Sequence, residues 1–209
     1  MAYFMVHLKI AQELLKSNSN IKDLEAFYKG TLAPDAIMFR QGCKRSEKSS
    51  THFCVGDEGW GYYTNYDEWQ NNLNSSLRNY AGKINPDFLF GYYAHVITDI
   101  ATANTFWNPV RLKQDKEHIN KYISDCNEID SLLLESFESK EMVWALLKKP
   151  TEYFLPDLFK AEDLSILIDE MINDMYNNRK PKPNYEFKVI TPSDMIEFID
   201  TVVSKINNL

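Results

Sequence analysis

Five side chains in the first half of the chain could together do chemistry: His7, Asp35, His52, His95 and Asp99. Three of the chain's four histidines belong to this set, and each member sits in a stretch that otherwise reads as core. Imidazole and carboxylate are the ligands Zn²⁺ takes, about three or four protein groups per ion. If the five converge, they are candidates to hold one or two metal ions and to activate a water. The anchor is His95-x3-Asp99, since residues four apart share one face of a helix. Thirty acidic residues among 209 give such a pair by chance nearly half the time when four histidines are present. What raises it above chance is its setting, because a carboxylate in an almost wholly apolar helix must be neutralised or coordinated. The alternative for Asp99 is a pairing with His95, a tyrosine or the backbone. His7 stands on the apolar stripe of the first helix, His52 in the short run Thr51-His52-Phe53-Cys54, and Asp35 just after Pro34, where it could also cap a helix.

The blocks carrying these residues come in a particular order. His7 is followed by G-T-L-A-P-D (Gly30 to Asp35), T-H-F (Thr51 to Phe53) and G-Y-Y-A-H-V-I-T-D (Gly91 to Asp99). Over roughly residues 1–105 this order resembles the bacterial zinc-dependent phospholipase C family. The resemblance implies an all-α fold around a central metal cluster. It implies that Asp35, His52, His95 and Asp99 hold one zinc, with Asp99 bridging to a second zinc that His7 also binds. Asp35 would further position or deprotonate the attacking water. The family's third site has no counterpart: Thr105 to Pro109 contains no histidine, and His118 is followed at i+4 by Tyr122 rather than by an acid. The processed N-terminal Trp that the family uses as a ligand is also missing from this start, which carries no recognisable leader. The expectation is therefore one or two Zn²⁺ ions and hydrolysis of a phosphodiester, the substrate being a small-molecule phosphoester or a lipid headgroup. Two other readings stand beside it. One is a nucleotide phosphohydrolase, although the chain lacks the His-Asp dipeptide usual there; the other is a catalytically reduced metal-binding module.

The elements that must position these groups are helical nearly throughout. Residues 3–16 carry one 3,4-spaced apolar stripe, and SNSN at 17–20 ends it before a second helix over 21–29. Residues 40–51 read as a polar, basic loop. The aromatic and acidic segment 57–69 reads as surface or cleft lining, a lid at most, and a helix follows from about 66 to 82. Asn85-Pro86-Asp87 is a strong helix start, with Asn as cap and Pro in the first turn. The helix it opens is apolar all round, hence central and buried. Helices follow over 111–139, 140–149 and 162–177. Residues 177–189 form a Pro/Lys-rich connection, and a capping box at Thr191–Asp194 opens the last helix. His118 lies in a highly polar stretch and reads as solvated. The fold class is all-α, a single domain of seven to nine helices.

A formal charge of −7 argues against nucleic acid as a partner, and three scattered cysteines suit free thiols rather than a disulfide framework. No run approaches the ~18 apolar residues of a membrane span. A cytoplasmic location is the expectation.

Overall fold

The computed structural model describes residues 3–44, 46–56 and 59–208. Ten α-helices are present among them: α1 (Phe4–Ser17), α2 (Leu24–Gly30), α3 (Glu47–Thr51), α4 (Tyr66–Arg78), α5 (Pro86–Thr102), α6 (Asn108–Arg111), α7 (Lys116–Glu135), α8 (Lys140–Leu147), α9 (Ala161–Glu170) and α10 (Pro192–Asn207). A 3-10 helix covers Ala33–Phe39, and π-helical turns cover Ala103–Trp107 and Met171–Met175. The only β pairing among the described residues is an isolated bridge between Leu155 and Phe159. The two short helices α3 and α6 carry the count past the expected seven to nine. The segment over 40–51 is not all loop, since α3 forms inside it. No helix among the described residues is long and apolar enough to cross a membrane.

Helix α5 lies at the centre and touches α1, α2, α4, α10 and the 3-10 helix. Its start is as the sequence demands: the Asn85 side chain accepts from the backbone N–H groups of Asp87 and Phe88, and Pro86 occupies the first turn. Its most extensive contact is with α2. Two glycines allow that closeness. A methyl group added at Gly91 would lie 2.2 Å from the Phe27 carbonyl oxygen, and one at Gly30 would lie 2.1 Å from the Phe88 carbonyl oxygen. Side chains larger than hydrogen would hold the two backbones apart.

The other ends are pinned by polar contacts. Thr191 and Asp194 form the expected reciprocal cap on α10. The Asp125 carboxylate on α7 accepts the backbone N–H groups of Lys188, Val189 and Ile190 and the Tyr185 hydroxyl, which ties down the connection before α10. Cys43, Cys54 and Cys126 are all free thiols.

Candidate metal centre

All five candidate residues are buried and meet at the centre of the helix bundle. Their ligand atoms fall into two groups: Asp35, His52 and His95 in one, His7, His95 and Asp99 in the other, with the atoms of each group within 4.8 Å of one another. Helix α1 supplies His7, the 3-10 helix supplies Asp35, and α5 supplies His95 and Asp99. His52 is the cap residue that ends α3. Directly after it, Phe53 takes a left-handed backbone with φ 54°, uncommon for a bulky residue. That turn is clamped from α4, where the Trp69 indole N–H donates to the His52 carbonyl at 2.7 Å and Asn72 Nδ2 donates to the Phe53 carbonyl at 2.8 Å.

The outer nitrogens of two histidines are already committed. His95 Nδ1 donates to the Thr31 carbonyl at 2.7 Å, and His52 Nδ1 donates to the Lys48 carbonyl at 2.9 Å. Tying down one ring nitrogen in this way turns the other inward as a lone pair, the arrangement usual for metal-binding histidines. His52 Nε2 and His95 Nε2 then face each other at 3.2 Å. Around them lie Asp35 Oδ1, at 3.4 Å from His52 and 3.9 Å from His95, and Asp99 Oδ2, at 3.3 Å and 3.9 Å. Donors around a tetrahedral zinc stand about 3.3 Å apart, given bonds of about 2.0–2.1 Å. A proton on one nitrogen serves only one of these contacts, whereas a cation set within either group would serve three donor atoms together.

Asp99 divides its two oxygens. Oδ2 faces His52 and His95, while Oδ1 lies 3.6 Å from His7 Nε2. The His7 ring stacks flat on His95, with centroids 3.7 Å apart and planes within 4°. Asp35 Oδ1 is met by the Lys48 ammonium at 2.7 Å, whereas neither ring nitrogen of His7 has a hydrogen-bond partner among the described residues. Buried polar atoms left in this condition are costly unless something else occupies them.

Electrostatics favours the protonation states that metal binding needs. Burial pushes the His95 imidazole down to about 4, against the opposing pull of Asp35 and Asp99. Burial, followed by His95, likewise holds His7 well below the usual histidine range. Burial alone would raise both carboxyls. For Asp35, Lys48 and then His52 and His95 reverse it; for Asp99, His52, His95 and His7 do so among others. Both carboxyls sit well below the usual carboxylate range. The set is thus two carboxylates with neutral imidazoles at His7 and His95.

A cavity of about 570 Å³ reaches the cluster from outside. Aromatic rings of Tyr3, Phe4, Trp60, Trp107 and Tyr122 line it, and Asp35 is the one member of the five that it reaches. Trp60 packs edge-on against His52 at 4.4 Å and so covers the cluster. Trp107 and Met175, the last residues of the two π-helical turns, both face this cavity. Such turns re-aim side chains and recur at functional sites.

Of the aromatic residues in the 57–69 segment, Trp60 lines the cavity, Tyr63 and Trp69 are buried, and Tyr62 is exposed. The segment's Asp57 and Glu58, expected as part of an acidic lid, lie outside the described residues. His118 joins neither group and stands beside Lys113, with Nε2 3.0 Å from the ammonium. Residue-type reasoning missed Lys48, whose carbonyl orients His52 and whose ammonium lies 2.7 Å from Asp35 Oδ1. Its place one helical turn before His52 was the available signal. It also missed Thr31, whose contribution is a backbone carbonyl and leaves no side-chain signature.

No family model, curated protein or solved structure matches the chain.

Proposed function

We propose that the chain is a metal-dependent phosphoesterase of the zinc-dependent phospholipase C type, hydrolysing a phosphodiester with a metal-activated water. The observation that carries this is the facing pair of His52 and His95 Nε2 atoms, 3.2 Å apart, each with its Nδ1 proton tied to a backbone carbonyl. Asp35, His52, His95 and Asp99 would hold one ion, and His7 with Asp99 Oδ1 would contribute to a second. When bound, zinc supplies a water that ionises near pH 7 and takes up charge on phosphoryl oxygens. The order of the A-P-D, T-H-F and H-x3-D blocks supports the phosphoester chemistry.

The chain's own residues divide the work. Asp35 alone among the five reaches the cavity, so its carboxylate is the group that meets an incoming water and can orient it or take its proton. Trp60 and Trp69 exclude solvent from His52. His95 and Asp99, fixed on the central helix, keep the cluster rigid while substrate enters from the side of Asp35.

The test begins with zinc content of protein purified without a metal-binding tag, then turnover of chromogenic phosphodiesters and phosphomonoesters by wild type and Asp35→Asn. The expected result is stoichiometric zinc and a fall of about 10²-fold or more in turnover for the variant. Absence of transition metal even after reconstitution would sink the metal centre. Zinc-loaded wild type that turns over nothing would return the protein to the metal-binding module reading.

A further inference from the structure

Lys48 reaches the cluster twice, through its carbonyl to His52 and through its ammonium to Asp35. The ammonium also lies 4.8 Å from the centre of the Trp60 ring. The side chain is 13% exposed and stands on the cavity wall beside Asp35. It thus occupies the boundary between the buried donors and the open space.

Its partner oxygen, Asp35 Oδ1, is the same one that faces His52 and His95. An oxygen shared with a divalent cation has less charge left for an ammonium. Lys48 would then be a cation whose free directions point into the cavity. The surrounding wall is mostly apolar, with Ile37, Met38, Trp60 and Trp107 nearby and Lys44 as a second cation on the lining. An ion pair formed against such a wall is less screened than one in open water. The chain's formal charge of −7 works against anions in general, so an anionic substrate needs a local reversal of sign.

Resting on the phosphoesterase reading above, the geometry points to Lys48 as the residue that binds the anionic oxygen of the substrate. It selects phosphorylated molecules that carry an apolar substituent. The ammonium pairs with a phosphoryl oxygen, and the aromatic wall takes the substituent.

The experiment titrates inorganic phosphate and then phenyl phosphate into the zinc-loaded full chain, as wild type, Lys48→Gln and Lys48→Arg, by calorimetry. Lys48→Gln weakens phosphate binding by about tenfold or more, the size of a lost charged hydrogen bond. Lys48→Arg keeps the cation and stays within about threefold of wild type. Phenyl phosphate binds more tightly than inorganic phosphate to all three, because the apolar wall is intact. Zinc affinity of Lys48→Gln, read by chelator competition, is as tight as wild type or tighter, since a competing cation beside Asp35 has gone. Equal phosphate affinity in wild type and Lys48→Gln overturns the inference and leaves the metal centre standing. Zinc-loaded wild type indifferent to phosphate also overturns it. Weakened zinc binding in Lys48→Gln would show that Lys48 builds the cluster instead, and so overturns the assignment. Wild type that takes up no zinc overturns this inference and the metal centre together.

Discussion

The Thr31 carbonyl accepts the Nδ1 proton of His95 at 2.7 Å, across the crossing of α2 and α5. That contact exists because Gly91, one turn before His95, lets the α5 backbone lie against Phe27 and Thr31. Gly30 does the same from the other side, against Phe88. The ring orientation of a buried histidine thus depends on the absence of two side chains. The glycines in the Gly30–Asp35 and Gly91–Asp99 blocks are part of the candidate metal centre without touching it.

Gly91→Ala should therefore damage both stability and the centre. The added methyl meets the Phe27 carbonyl oxygen at 2.2 Å, a backbone atom that cannot turn aside. Overpacking of this kind costs about 3 kcal/mol, which in a domain of this size lowers Tm by about 6–12 °C. Because relief requires α2 and α5 to separate, Thr31 withdraws from His95 and zinc affinity falls as well. Thermal melts with and without zinc check both effects. A variant with unchanged Tm and unchanged zinc affinity would show that the crossing is loose.

Much of this arrangement was legible in the sequence, and the rest was hidden for identifiable reasons. Asn85-Pro86-Asp87 and Thr191–Asp194 announce helix starts because their caps are local. The five ligand candidates announced themselves because polar groups in apolar stretches require a partner. Lys48 did not, since five-residue α3 is too short to show a period and sits in a polar run. Thr31 and the two glycines act through backbone atoms across the α2–α5 crossing, which no single-chain pattern displays. The π-helical turns that place Trp107 and Met175 on the cavity wall were invisible for a similar reason, because packing rather than composition decides them.

Removal of metal should destabilise the fold, because the donors are spread over α1, the 3-10 helix, the end of α3 and α5. An ion that binds only the folded state adds about 2.7 kcal/mol when free metal is about a hundredfold above its Kd. Chelator should lower Tm of wild type, and zinc should restore it. His52→Ala should start at a lower Tm and respond to neither. A Tm for wild type that is blind to chelator and to added zinc would speak against a cation at the facing nitrogens.

Asp125 offers a contrast, being a buried carboxylate with a purely mechanical duty. One oxygen accepts three successive backbone N–H groups, from Lys188, Val189 and Ile190, and the other accepts the Tyr185 hydroxyl. Asp125→Ala leaves these donors without their acceptor, at about 3 kcal/mol in total. The segment 177–191 should then become the first site of proteolytic cleavage, while zinc stoichiometry stays at the wild-type value. Loss of zinc in this variant would mean that the connection and the centre are coupled.

Asp130 supplies the pH dependence. Its carboxylate is buried, accepting from the Met5 N–H at 3.1 Å and the Tyr176 hydroxyl at 2.8 Å, with Arg179 Nη1 at 3.1 Å. Burial nevertheless outweighs these partners and pushes the carboxyl from 3.8 up to about 6. The folded state therefore holds this proton more tightly than the unfolded chain. The stability it contributes is fully present below about pH 4 and is lost as pH rises through about 6, a swing of about 3 kcal/mol. Neighbouring Tyr3, Tyr176 and Cys126 are all pushed upward by burial and stay neutral over that window. Urea unfolding of wild type and Asp130→Asn at a series of pH values isolates the effect, because the amide does not titrate and other groups cancel in the difference. Relative to the variant, wild type should lose about 3 kcal/mol between about pH 3.5 and 7. A difference that stays flat across that range would place the Asp130 carboxyl at its ordinary value and show that Tyr176 and Arg179 fully offset its burial.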